Sequence, residues 1–431
     1  MSVHVKYLLV GGGLASSHAA RAIREIDSQG DLVLVGQDIN RPYHRPPLSK
    51  EFLRGQMPRA EVFIDSSDWI LENHVQLRTA RRASRLDVGR NAVTLDNGEE
   101  ISFDKLLLAT GANAAPLRVP GANLPNLFYL RTLEDADYLA LAIEKAKQDG
   151  RPHSDGLGGR GRALVIGAGL LGVETACSLK QLGLHVEIAA AGASPWESFA
   201  GATLGRCIAR HLEKQGITLH LSTAVLRLEG DGRVQRAVLT GDKTVDCDLA
   251  IACVGVQVNK ELLRNTPIAA EKSILIDDHC RTSVPRVFAA GDCATLLDPR
   301  FGKHCLLEHW QAAVDTGRVA GINMAGGDAK FDSVNQFDTQ AFDFNVLVFG
   351  EARLVDRRII RGMPSGDSPQ FFEIGIAADG RIAQVIAIGP HSKTDAELAV
   401  QLVRQRFAVD GNEEMLKDPA IPLGQVLKPT T

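Results

Sequence analysis

Tyr7-Leu8-Leu9-Val10-Gly11-Gly12-Gly13-Leu14-Ala15-Ser16 carries the strongest fold signal in the chain. An apolar run ends in three glycines, and residues 14–26 then carry a helical pattern. A second apolar run, residues 31–35, follows. Strand, glycine turn, helix and strand in this order make the unit that holds a dinucleotide. Gly11 permits the tight turn and Gly13 lets backbone approach a pyrophosphate. Ser16 takes the third small position, where helix and strand come close. The helix start, with Leu14 and Ala15, aims backbone N–H groups and a partial positive charge at the phosphates. A carboxylate after the second strand should bind ribose hydroxyls, and Gly36-Gln37-Asp38 offers Asp38, with Gln37 as a neutral partner.

The same grammar returns 156 positions later. Ala163-Leu164-Val165-Ile166 runs into Gly167-Ala168-Gly169-Leu170-Leu171-Gly172, a helix is expected over 170–182, and a strand over 185–189. All three glycines are present, with Glu174 two residues on. The second strand ends Ile188-Ala189-Ala190-Ala191-Gly192, with no carboxylate for a 2′-hydroxyl and no basic residue for a 2′-phosphate. The choice between NADH and NADPH is therefore not written there. Two such turns in one chain imply two dinucleotides held at once, the arrangement that hydride transfer needs.

Bulk properties narrow the class. At 431 residues the chain exceeds one ordinary core, so two or three domains are expected. The net charge of −4 argues against a nucleic-acid binder. Apolar runs stop short of the roughly 18 residues of a membrane span, and the N-terminus reads as a strand rather than a signal segment, so a cytoplasmic location is expected. The seven cysteines form no tight pair, which sets aside zinc and thioredoxin-like readings.

Further strands are expected at 75–77, 92–95, 105–109, 217–221, 234–239, 249–254 and 284–290. A polar loop is expected at 153–162 and a helix at 306–325. Strands at 345–349, 371–376 and 382–388, then a helix at 394–407, read as a separate α+β domain.

The segment Arg45-Pro46-Pro47-Leu48-Ser49-Lys50, joined to the first glycine turn, resembles the FAD-dependent ferredoxin reductases that serve Rieske oxygenases and cytochromes P450. Leu107-Leu108-Ala109-Thr110-Gly111-Ala112, Tyr129-Leu130-Arg131-Thr132 and Val287-Phe288-Ala289-Ala290-Gly291-Asp292 follow in the family's order. Apoptosis-inducing factor and monodehydroascorbate reductase are relatives. The resemblance implies an α/β fold of glutathione-reductase-like architecture: two Rossmann-type nucleotide-binding domains, for FAD (1–117 and 246–328) and NAD(P)H (118–245), and a C-terminal α+β domain (329–431).

It also implies site residues. Gly11, Gly13, Leu14, Ala15, Ser16, Gln37, Asp38, Arg45, Lys50, Ala83, Ala109, Thr110, Gly111, Arg131, Gly291 and Asp292 would line the FAD site, Ala83 through its backbone. Gly167, Gly169, Leu170, Leu171, Gly172, Glu174 and Gly255 would serve the nicotinamide dinucleotide. Glu308 would approach the carboxamide, and the backbone of His309 or Trp310 the flavin pyrimidine. Lys50 and Glu174 would pair beside the reacting rings as the catalytic residues, holding them in line. Taken singly, Glu174 could be a solvated carboxylate near a helix start, and Trp310 could equally be a core residue. Relatives with a redox disulfide carry paired cysteines soon after the first helix; the first cysteine here is Cys177.

One departure bears on the partner. Ferredoxin reductases commonly carry Trp-Phe-Trp-Ser-Asp-Gln early in the C-terminal domain, where this chain has Gln336-Phe337-Asp338-Thr339-Gln340-Ala341. The expected activity is oxidation of NAD(P)H through FAD, with an iron–sulfur ferredoxin as the leading acceptor, in a monomer or homodimer. The alternatives are an apoptosis-inducing-factor-like protein, weak as a reductase and active in partner binding or redox signalling, and a monodehydroascorbate-type reductase. Glu308-His309 resembles the latter two.

Overall fold

The computed structural model describes residues 3–149, 161–298, 300–306, 308–366, 368–390 and 393–426. The loop expected at 153–162 falls outside them up to residue 160, as does Leu307. The chain groups into two compact units, Met1–His44 with Pro58–Asn113 and Val256–Asn335, and Arg45–Met57 with Ala114–Gly255 and Gln336–Thr431.

In the first unit, Val3–Val10 runs parallel between Leu32–Val35 and Glu100–Leu108. Val75–Arg78 and Val287–Ala289 extend the parallel part, and Ala92–Leu95 and Ala83–Asp87 add an antiparallel margin. Every residue of Leu32–Val35 is buried. A parallel strand covered on both faces reads as an unbroken apolar run, which is why this one was legible. Helix Leu14–Ile26 packs on helix Trp310–Met324 through small residues. A Cβ on Gly317 would stand 2.3 Å from the Ala15 carbonyl oxygen, and one on Gly321 would stand 2.4 Å from that of Ala19. The two backbones touch, so larger side chains there would force the helices apart.

The second unit repeats the parallel theme. Its sheet runs Ile217–His220, His185–Ala189, Arg162–Ile166, Leu249–Ala252, Leu127–Phe128, with parallel pairing throughout. A second, antiparallel sheet in this unit is ordered Gln336–Ala341, Phe344–Gly350, Ile382–Ile388, Gln370–Ala377, Val355–Met363. Helix Ala202–Lys214 has no side-chain cap of its own at Gly201. Glu373, 1% exposed, supplies one from the antiparallel sheet, accepting from Gly201 N at 2.5 Å and Leu204 N at 3.3 Å. Arg358 balances that buried carboxylate at 3.0 Å.

Several expected boundaries move. The helix expected at 306–325 is Trp310–Met324, because Lys303–Leu306 is a strand pairing with Ala294–Asp298 and His309 is extended. The strand expected at 284–290 shortens to Val287–Ala289, since Arg286 sits in the left-handed region at φ +69°. The helix expected at 394–407 is Lys393–Arg404, and it is not the final one, because the short helices Glu413–Lys417 and Leu423–Val426 follow it. Helices Leu133–Asp149 and Ala202–Lys214 and strands Ala83–Asp87, Gln336–Ala341 and Val355–Met363 were not read from the sequence.

Candidate functional site: two glycine turns and a carboxylate–lysine pair

At the first turn Gly11 has φ +130°, and a Cβ there would lie 1.9 Å from the Ala109 carbonyl oxygen. The turn is thus locked against the segment Ala109-Thr110-Gly111 that follows strand Glu100–Leu108. Gly13 differs: a Cβ there would meet nothing within 4 Å. Packing does not explain that glycine, whereas the open space beside it suits a ligand. Gly13 caps helix Leu14–Ile26 with no side chain, and the first turn of that helix carries no acid. Its leading N–H groups and positive dipole end therefore lack an internal counter-charge, as an anion site requires.

The second turn is built alike. Gly167, at φ +110°, would place a Cβ 2.3 Å from the Cys253 carbonyl oxygen, and Gly169 opens onto space. Helix Leu170–Gln181 starts there with Leu170 and Leu171, again without an acid in its first turn. Gly172 carries its hydrogen where a Cβ would be 2.1 Å from the Gly167 carbonyl oxygen, so helix and turn are in direct contact. Gly255 lies just beyond strand Leu249–Ala252, its carbonyl accepting from Ala115 N at 2.9 Å. The donor sets at both turns fit a dinucleotide pyrophosphate.

Glu174 lies on the helix of the second turn and is 5% exposed, so it is not a solvated carboxylate. It accepts from Lys50 Nζ at 2.9 Å, Ser49 Oγ at 2.8 Å and Thr339 Oγ1 at 2.9 Å. Ser178, four residues on and hence on the same helix face, donates to the Ser49 carbonyl at 2.6 Å and accepts from Arg54 Nη1 at 2.9 Å. One helix face thus seizes the whole 49–54 segment. The Lys50 side chain is 13% exposed. Removing the ammonium would strand a buried charge, at a cost of about 3 kcal/mol.

The remaining expected residues fall as follows. Asp38 is turned into its own loop, accepting from Asn40 N and Nδ2, both at 2.9 Å, and from Tyr43 OH at 2.6 Å. Three of its roughly four acceptor positions are used, while Gln37 beside it is exposed. Arg45 donates to the backbone carbonyl of Arg131, whose own N–H is held by Asp135 Oδ2 at 2.9 Å. Ala83 begins a strand at a register shift opposite Leu95. Gly291 N donates to Thr316 Oγ1 at 3.1 Å, which ties the Gly291-Asp292 turn to helix Trp310–Met324. Asp292, Glu308 and His309 are partly exposed. Trp310 is 40% exposed and sits 6.0 Å from the His44 ring, so it is no core residue.

The family described as pyridine nucleotide-disulphide oxidoreductase matches residues 5–317. The chain belongs to this family. The biphenyl dioxygenase system ferredoxin–NAD(+) reductase component of Paraburkholderia xenovorans (strain LB400) is 29% identical over 420 residues, 97% of this chain and 98% of that protein. The benzene 1,2-dioxygenase system ferredoxin–NAD(+) reductase subunit of Pseudomonas putida is 28% identical over 413 residues, 95% of this chain and 94% of that one. Among solved structures, the covalent putidaredoxin reductase–putidaredoxin complex matches with a TM-score of 0.89 at 24% identity, over 99% of both chains, a likeness of fold.

Among the described residues no disulfide joins any of the seven cysteines. Burial pushes the Cys177, Cys247 and Cys253 thiols up to about 12, far from the thiolate that disulfide exchange requires. Among the described residues no helix is long and apolar enough to cross a membrane.

Sequence reasoning missed Thr339, Ser49, Ser178 and Arg54. Thr339 lies in the stretch noted for lost aromatics, on strand Gln336–Ala341, whose alternation buries it at 1% exposure. Its neighbour Phe337 stands edge-on to Phe199 at 5.2 Å.

Proposed function

We propose that this protein oxidises NADH or NADPH with a bound FAD and passes the electrons to an iron–sulfur ferredoxin. The buried Glu174–Lys50 pair on the helix of the second glycine turn carries this reading, because it joins the motif of the FAD segment to the nicotinamide fingerprint in one hydrogen-bonded cluster. Curated relatives named as ferredoxin–NAD(+) reductases, aligned over nearly the full length, support the acceptor class. When bound, FAD supplies the conversion of a two-electron donor into single electrons.

The chain's own residues position and charge-balance. Gly11, Gly13 and the N–H groups at Leu14, Ala15 and Ser16 would hold the FAD pyrophosphate, with Gln37 or Asp38 at the ribose. Arg45, Lys50, Ala83, Arg131, Ala109, Thr110, Gly111, Gly291 and Asp292 would line the rest of that site. Gly167, Gly169, Leu170, Leu171, Gly172 and Gly255 would hold the nicotinamide dinucleotide, Glu308 its carboxamide, and the His309 or Trp310 backbone the flavin pyrimidine. Glu174, fixed by three donors, orients the Lys50 ammonium, and the pair would keep the nicotinamide in line for transfer. The division into 1–117 with 246–328, 118–245 and 329–431, and a cytoplasmic location, belong to this proposal.

The test is NADH-driven reduction of a [2Fe–2S] ferredoxin from the same genome, compared with ferricyanide. Rapid ferredoxin reduction supports the proposal. Ferricyanide reduction with no ferredoxin reduction would move the acceptor to a small molecule, as in monodehydroascorbate reductase. Failure with both would favour the binding role suggested by apoptosis-inducing factor.

A further inference from the structure

The second glycine turn lacks the strand-end acid that ordinarily holds the adenosine ribose, yet a carboxylate, that of Glu197, lies against Gly192, three residues beyond that strand. We infer that Glu197 is the ribose acceptor of the nicotinamide dinucleotide and makes the protein select NADH over NADPH. The inference rests on the reading of the second turn as the nicotinamide site.

Strand His185–Ala189 ends in Ala190-Ala191-Gly192, none of which can accept a hydroxyl proton through its side chain. The chain runs on to Trp196 and there reverses. Trp196 is fully buried and lies in the left-handed region at φ +60°. A bulky residue in that conformation is an outlier that persists only where its surroundings enforce it. Here they do. Trp196 N donates to the Ala168 carbonyl at 2.8 Å, inside the fingerprint itself, and the Trp196 carbonyl accepts from Phe199 N at 3.0 Å and Ala200 N at 2.8 Å. The ring packs on Phe199 at 5.7 Å.

The reversal brings the next side chain back against Gly192 and Ala193, just beyond the strand. Glu197 Oε2 accepts from Ala193 N at 3.3 Å and lies 2.3 Å from where a Cβ on Gly192 would stand. Gly192 is therefore the residue that leaves room for this carboxylate. Glu197 is exposed, and among the described residues Ala193 N is its one partner. Its other lone pairs remain open to the 2′- and 3′-hydroxyls of a ribose. The same negative charge would repel a 2′-phosphate.

The experiment is steady-state turnover with ferricyanide in the FAD-loaded protein, using NADH, NADPH and the NADH analogue lacking the adenosine 2′-hydroxyl. Wild type should prefer NADH and lose affinity for the deoxy analogue. In Glu197→Gln, KM for NADH should rise about tenfold, the size of one charge-assisted hydrogen bond, and the NADH-to-NADPH ratio of kcat/KM should fall at least as far. The loss should fall on KM rather than kcat, because the ribose is remote from the reacting ring, and the variant should no longer distinguish the deoxy analogue. Gly192→Ala, which keeps the carboxylate but occupies its place, should shift the ratio in the same direction. A wild-type preference for NADPH, or an unchanged ratio in both variants, overturns the assignment. Turnover with neither donor would instead overturn the nicotinamide site on which it depends.

Discussion

The two glycine turns share a backbone plan and differ at their third position and beyond their second strand. Gly11 and Gly167 are both left-handed and both press on a carbonyl of a neighbouring segment, while Gly13 and Gly169 both face open space. At the third position the first turn has Ser16, fully buried with an Oγ that finds no partner among the described residues, and the second has Gly172, pressed against the Gly167 carbonyl. The second turn is thus the tighter one, and its helix bears Glu174 where the first bears His18. A glycine in such a motif can therefore serve the fold, the ligand, or both. A substitution can tell which.

Gly11→Ala and Gly167→Ala should be the most damaging, because each adds left-handed strain to overlap with rigid backbone. About 4 kcal/mol of stability should be lost in urea unfolding. Gly13→Ala and Gly169→Ala should leave unfolding of the ligand-free protein nearly unchanged while weakening dinucleotide retention. If all four behaved alike, the separation of packing from ligand glycines would break.

Next in size is the feature that only the second turn owns. Lys50→Ala leaves Glu174 buried with hydroxyl donors alone, and should cost about 3 kcal/mol in the same assay. It should also slow flavin bleaching by NADH. Lys50→Arg should restore part of the stability but less of the rate, since a guanidinium fork does not reproduce a compact ammonium. Stability unchanged in Lys50→Ala would mean that the pair is not formed in solution.

The third positions should give the smallest effects and the sharpest contrast. Gly172→Ala should cost about 2 kcal/mol through its contact with the Gly167 carbonyl. Ser16→Ala should fall within about 1 kcal/mol of wild type, on the stabilising side, because it removes a buried hydroxyl without a partner. Equal losses at the two positions would contradict the asymmetry of the turns.

Much of this was legible because the decisive elements are buried on both faces. Residues 7–10, Leu32–Val35 and residues 163–166 announce themselves as apolar runs, and the glycines that end them have few other uses. Strand Val355–Met363 was hidden. It lies at a sheet edge, and Asp356, Arg357 and Arg358 look like loop residues until Arg358 is seen against Glu373. The Lys50–Glu174 pair could be named only through the family resemblance, since nothing local links residues 124 positions apart. Thr339 was passed over for a related reason. The tryptophans missing from Gln336–Ala341 are the visible signal there, while the hydroxyl that reaches Glu174 sits in the same strand without one. Glu197 escaped because its placement depends on a left-handed tryptophan, which no sequence pattern encodes.

The most direct test of the account is an anaerobic visible spectrum of the purified protein, recorded before and after addition of stoichiometric NADH. The protein should be yellow, with an oxidised flavin band that bleaches when NADH is added. A protein that is colourless, and stays so after incubation with FAD, would contradict it.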